Sequence, residues 1–235
     1  MSGSSDRRAS STCAAASADA SYLAPATYVD SDHPDVIALA RELVRDASTD
    51  ADKAARLFRG VRDRLRYDPY SVTIDPADYK ASRILARERA YCVPKAILLT
   101  ALARAAGIPA RVGFADVKNH LSSEKLLRTM GTDLFVFHGY VELWIDGVPR
   151  KASPAFNAEL CAKFGVPPLE FDGRSDALLS AFDGAGHRFM EYVRDRGLHL
   201  DLPFEEMLRA FAETYAKNGA PDLEGLRGGP HDEAF

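Results

Sequence analysis

A chain of 235 residues with 46% hydrophobic and 27% charged content is long enough to bury one large core, or one core and an extension. A net charge of −4 argues against a nucleic-acid binder, which would carry a basic face. No apolar stretch approaches the roughly 20 residues needed to cross a bilayer. Cys13, Cys92 and Cys161 form no CxxC pair and no disulfide framework, which points to a reducing compartment and a cytoplasmic protein. The histidines are scattered without zinc-type spacing and no calcium loop occurs, so neither a metal nor a cofactor is expected.

Met1 to Ala20 is rich in Ser and Ala, holds two arginines and has no apolar h-region, so residues 1–30 read as a disordered leader rather than a signal peptide. His33-Pro34-Asp35 is a helix-start signal for a helix to Ala47, on the apolar spacing Val36, Ile37, Ala40, Leu43 and Val44. A second helix, Thr49 to Arg66, carries Ala54, Leu57, Phe58, Val61 and Leu65 on one stripe. Both are expected to pack around the helix that follows Cys92.

That helix, Val93 to Ala106, has only Lys95 and Arg104 charged, and an apolar girdle of this kind belongs to a buried helix. Pro94 falls in the first turn, where its missing N–H costs nothing, and Gly107 closes the helix as a residue free to take positive φ. Cys92 therefore stands at or beside the N-cap. Unpaired N–H groups and the helix dipole there are expected to lower the thiol pKa and favour a nucleophilic thiolate. A small buried thiol is the plainer alternative.

Arg111 to Ala115 reads as a strand, followed by a polar loop with Asp116, Asn119 and His120 as candidate substrate contacts, then a helical stretch from Ser122 to Met130. The same loop residues also suit an ordinary solvated turn. Leu134 to Ile145 is a long strand ending at the turn pair Asp146-Gly147. Regular alternation puts Phe135, Phe137, Gly139, Val141, Leu143 and Ile145 on a core face, and His138, Tyr140 and Glu142 on a face that lines a cleft. A two-residue type I′ loop then pairs Ile145 with Val148, Leu143 with Arg150 and Glu142 with Lys151. It also sets Ser153 diagonal to His138 and within hydrogen-bond reach. His138 could equally be a satisfied semi-buried histidine, and Glu142 half of an ion pair with Lys151.

Tyr91-Cys92 opening an apolar helix, the exit Gly107-Ile108-Pro109-Ala110-Arg111-Val112 and the strand His138-Gly139-Tyr140-Val141-Glu142 together resemble the transglutaminase-like superfamily of papain-type cysteine enzymes. Val61 to Asp68 looks like the pre-catalytic helix and following tyrosine of that family, and the resemblance covers residues 55–157. It implies an α+β fold, with a helical cluster that includes the nucleophile helix packed on a mostly antiparallel sheet. It also implies a Cys-His-Asp triad that attacks a carbonyl, forms a thioester and passes the acyl group to water or an amine.

One position departs from the family. Lys151-Ala152-Ser153-Pro154 places Ser153 where an aspartate is expected before the proline. A buried carboxylate orients the imidazole and stabilises imidazolium, whereas a hydroxyl can only orient it. Three outcomes stay open: a Ser-oriented dyad, an orienting group drawn from Asn157, Asp133 or Asp116, or loss of catalysis.

The catalytic residues expected are thus Cys92, His138 and Ser153, with Tyr91, Tyr140, Asp116, Asn119 and His120 as substrate contacts. The expected partner is a peptide, amide or thioester substrate, with no nucleic acid and no membrane. The function expected is cysteine-dependent acyl transfer or hydrolysis, and the alternative is a silent module that binds a peptide or protein. Residues 31–157 are expected to form the core and 158–217 a helical extension packed on it, with helices from His187 to Arg196 and from Pro203 to Lys217. Residues 218–235 read as a flexible tail.

Overall fold

The computed structural model describes residues 18–120, 122, 124–179 and 190–215. The expected tail, and the leader up to residue 17, lie outside them.

After a 3₁₀ turn at Ala20–Leu23 come helices α1 (Pro34–Leu43) and α2 (Asp50–Arg64), strand β1 (Arg66–Tyr67), helix α3 (Ala81–Ile84), strand β2 (Arg89–Ala90) and helix α4 (Cys92–Ala105). Strand β3 (Ala110–Asn119), helix α5 (Glu124–Met130), strands β4 (Leu134–Ile145) and β5 (Val148–Ala152), helix α6 (Ala158–Lys163), strand β6 (Met190–His199) and helix α7 (Phe204–Tyr215) complete the order. The class is α+β. Helices cluster around α4, which packs on a four-stranded antiparallel sheet ordered β5-β4-β3-β6, and β1 and β2 form a short parallel pair beside it.

Local chemistry sets the helix ends. Thr49 Oγ1 accepts from Asp52 N–H at the start of α2, and the His33 side chain accepts from Asp35 N–H at the start of α1. α4 is buried at every residue from Cys92 to Arg104. It stops at Gly107, whose φ of 82° carries a Schellman turn: Ile108 N–H donates to Ala103 C=O at 2.9 Å and Gly107 N–H to Arg104 C=O at 3.0 Å. The β4–β5 hairpin has the register read from Asp146-Gly147, with Ile145 opposite Val148, Leu143 opposite Arg150 and Glu142 opposite Lys151. Both turn residues take positive φ, 52° and 76°, as a type I′ loop requires.

Three expectations are corrected. Residues 20–30 are not a disordered leader: Val29 is buried, and Tyr28 and Val29 donate their N–H groups to the Asp201 carboxylate. Asp116 to Asn119 are not a loop, because β3 runs on to Asn119. The stretch from His187 to Arg196 is not a helix over its described part, since Met190–His199 is a strand paired antiparallel with β3. β3 is a buried strand whose outer edge would leave N–H and C=O groups unpaired, and β6 satisfies them. Tertiary pairing of this kind overrides local helical spacing.

Candidate active site

The thiol sits where backbone geometry concentrates donors. Tyr91 is the N-cap of α4 and makes no side-chain cap, and Cys92 is the first helical residue. Burial raises the Cys92 pKa to about 11, although the backbone N–H groups of Gly139 and Val93 near the sulfur pull the other way. The expected depressed thiol is therefore not found in the free protein, because desolvation of the anion outweighs the helix start. Gly139 makes the close approach possible. A Cβ there would stand 3.0 Å from the Cys92 carbonyl oxygen, 3.0 Å from Val93 Cα and 3.1 Å from Ala96 Cβ.

His138 comes from the middle of β4 and is buried. Its Nε2 lies 3.2 Å from Ser153 Oγ, just beyond the end of β5. With Nε2 engaged by Ser153, Nδ1 is the nitrogen left to exchange a proton with the thiol. Burial lowers the His138 pKa to about 4, so in the free protein a neutral imidazole and a neutral thiol line the same cavity.

The strand is not regular on its approach to His138. Ala115 pairs with His138 and Val117 with Phe135, so Asp116 alone stands opposite Val136 and Phe137. This is a β-bulge, and Phe137 takes a φ of 58°, a left-handed conformation that a bulky residue rarely adopts. Strict alternation holds from His138 to Ile145 and fails across the bulge, where Phe135 is brought opposite Val117.

Cys92 and His138 line one cavity with about 50 Å³ of space. Its walls are Tyr67 and Val72, Tyr91 of the N-cap, Val117 and Asn119 of β3, Leu126 and Met130 of α5, Phe135 and Phe137 of β4, Phe156, Met190 of β6, and Phe211 and Tyr215 of α7. Among the described residues no Asp, Glu, Lys or Arg lines it. The sequence assigned Phe211 and Tyr215 to core packing, and Met190 and Phe156 went unremarked, since an apolar wall residue and a core residue look alike in a sequence.

The other expected contacts separate. Tyr91 and Asn119 line the cavity. Tyr91 has no free O–H to offer: Tyr79 O–H donates to Thr73 C=O at 3.0 Å, so across the 2.7 Å contact between the two phenols Tyr91 must be the donor. Tyr140 is turned elsewhere. Its ring lies on Gly113, where a Cβ would come within 2.4 Å of it, and it lines a second cavity of about 330 Å³ with Lys151, Tyr192 and Asp195. His120 lies outside the Cys92 cavity, 3.4 Å from Glu191 in a partly exposed pair. Asp116 is buried within the sheet and lines neither cavity.

The named alternatives to Ser153 are occupied. Asn157 Oδ1 accepts from Tyr67 N–H at 2.9 Å, Asp133 faces Lys118 at 3.4 Å on the surface, and Asp116 accepts from Phe137 N–H at 3.1 Å. Glu142 faces Lys151 in register but pairs instead with Arg111 of β3, at 2.6 Å. Lys95, one turn beyond Cys92, is wholly buried and donates to the Arg62 and Leu65 carbonyls at 2.8 and 2.7 Å, closing the end of α2. Burial brings its pKa down to about 7.

Residues 37–149 match the model of the transglutaminase-like superfamily. Among solved structures, a candidate cysteine protease from Cytophaga hutchinsonii aligns with a TM-score of 0.45 and 18% identity, over 76% of this chain and 53% of that one. A candidate protease from Parabacteroides distasonis aligns with a TM-score of 0.37 and 18% identity, over 50% of this chain and 22% of that one. The chain thus spans about half the length of the first and under a quarter of the second. Comparison with curated proteins gives no match. The stretch that matches the transglutaminase-like superfamily, residues 37–149, runs from α1 through the nucleophile helix to the histidine strand and its hairpin.

Proposed function

We propose that the protein is a cysteine-dependent enzyme that attacks an amide, peptide or thioester carbonyl and passes the acyl group to water or an amine. The observation that carries this reading is the shared cavity of Cys92 and His138, with His138 Nε2 held by Ser153. In the acylation step Cys92 Sγ bonds to the carbonyl carbon while its proton passes to His138 Nδ1. The carbon–nitrogen or carbon–sulfur bond of the substrate then breaks, the leaving group takes that proton from His138, and a thioester remains on Cys92. Water or an amine attacks next, gives its proton to His138, and the thiol leaves protonated.

A neutral resting pair suits general-base catalysis, in which the proton moves as the sulfur attacks. The backbone N–H of Cys92 at the helix start is the oxyanion donor in this reading. The uncharged lining supports an uncharged, largely apolar group next to the scissile bond. Buried, unbridged Cys92 and Cys161 support a reducing compartment such as the cytoplasm.

A second reading, a silent module that binds a peptide or protein in the same cavity, is favoured by one observation. Ser153 offers imidazolium no negative charge, and burial alone already disfavours that ion. Iodoacetamide labelling separates the two. An enzyme alkylates at Cys92 near pH 7 much faster than at Cys161, and His138→Ala removes the difference. A binding module labels both sites at the same slow rate, with or without His138.

A further inference from the structure

We infer that Asp116, Arg196 and Tyr215 are positioning residues for His138: they hold the bulge that aims its imidazole into the Cys92 cavity. This rests on the reading of Cys92 and His138 as the reacting pair. The bulge lies directly before His138, and each of its two N–H groups is taken by a side chain. Val136 N–H donates to the Tyr215 phenol oxygen at 3.0 Å, from α7. Phe137 N–H donates to Asp116 Oδ1 at 3.1 Å. That same oxygen is held by Arg196 Nε of β6 at 2.5 Å, and the Arg196 guanidinium lies 4.5 Å from the centre of the Phe137 ring. Two of these contacts therefore converge on Phe137, the residue in a strained conformation, and the third holds Val136 beside it.

The energetics favour a positioning role over simple packing. A left-handed Phe costs on the order of 1–3 kcal/mol and persists only where its surroundings over-determine it. The Asp116–Arg196 pair is nearly buried, with 6% and 10% of the side chains exposed, and such pairs add little net stability over apolar residues of the same size. What the pair does supply is a fixed acceptor for one N–H. If the bulge relaxes, the strand regains regular pairing, and a one-residue slip turns the following side chain to the opposite face. The following side chain is His138. Arg196 and Tyr215 both lie beyond residues 37–149, so the family core of this protein is completed by the segment that follows it.

The test is a double-mutant cycle on the whole protein, read as the rate of Cys92 alkylation by iodoacetamide at pH 7, with thermal melting followed in parallel. Tyr215→Phe deletes a single hydroxyl and Asp116→Asn keeps an oxygen for Phe137 N–H, so both keep the test open if Asp116→Ala fails to fold. Tyr215→Phe and Asp116→Ala should slow alkylation by about fivefold or more, Asp116→Asn by less, and none by more than about twofold in a His138→Ala background. Parent-like rates in Tyr215→Phe and Asp116→Asn, or equal slowing with and without His138, overturn the inference while the Cys92–His138 reading stands. If His138→Ala alone alkylates at the parent rate, that reading falls and the inference falls with it.

Discussion

Ser153 Oγ lies 3.2 Å from His138 Nε2, a hydroxyl where the sequence resemblance implies a carboxylate. A hydroxyl fixes the ring and its tautomer but gives imidazolium no charge to face. Ser153→Ala should therefore lower kcat substantially with little change in KM, because the lost hydrogen bond matters most as His138 takes up its proton. Ser153→Asp should raise the His138 pKa from about 4 by stabilising the charged ring. Kinetics of both variants across pH check this, and a Ser153→Ala enzyme identical to the parent at every pH would remove Ser153 from the mechanism.

His138 also leaves a mark on stability. Below about pH 6.5 the unfolded imidazole binds a proton that the folded one, shifted by burial, refuses until about pH 4. Stability should therefore fall as pH drops across that window, by on the order of 3 kcal/mol from this group, whose contribution is constant above it. Urea titrations at pH 7, 5.5 and 4.5 measure the slope. It should shrink in His138→Ala, and an unchanged slope would mean that His138 titrates normally in the fold.

Lys95 gives a signature of the same sign at higher pH. Its folded pKa of about 7 lies below the ordinary 10.5, so the unfolded chain binds more protons than the folded one between these values and stability rises with pH. Lys95→Met leaves the Arg62 and Leu65 carbonyls without a donor, at about 1–3 kcal/mol each. The loss relative to the parent should be larger at pH 8.5 than at pH 6.5, where the parent still carries its buried charge. Chemical unfolding at the two pH values decides it, and equal losses would contradict the shifted lysine.

Gly139→Ala probes how closely the histidine strand approaches the nucleophile helix. The new methyl would meet the Cys92 carbonyl, Val93 and Ala96 at 3.0 to 3.1 Å, so the start of α4 must give by a few tenths of an ångström. A destabilisation of about 1–3 kcal/mol is expected. Alkylation of Cys92 should slow as well, because the Gly139 N–H near its sulfur moves with the strand. A variant that melts lower yet alkylates at the parent rate would show that this approach serves packing alone.

Much of the site was legible because it depends on local rules. The Cys92 helix start, the Gly107 exit and the Asp146-Gly147 register follow from capping and turn chemistry, and together they put Ser153 beside His138. What escaped depends on tertiary pairing. The β6 strand carries helix-compatible spacing and is fixed by the open edge of β3, and the bulge at Phe137 arises where three side chains from other elements converge on the strand. Period-two alternation cannot foresee such an insertion. Tyr140 was expected in the Cys92 cleft from its face alone but packs on Gly113 in the second cavity, and Asp116 was expected there as a loop residue although β3 runs through it. The thiol pKa failed for a related reason: a helix start is visible in sequence, and the depth at which it is buried is not.

The most direct test of the central claim is intact-mass analysis of the protein during incubation with p-nitrophenyl butyrate, an activated acyl donor that carries a short apolar chain. A covalent thioester mechanism predicts one butyryl group added in step with p-nitrophenolate release, mapped to Cys92, removed by hydroxylamine, and absent from both Cys92→Ala and His138→Ala. Release of p-nitrophenolate at an undiminished rate from Cys92→Ala, or an adduct that maps to Cys161 in the parent, would contradict it.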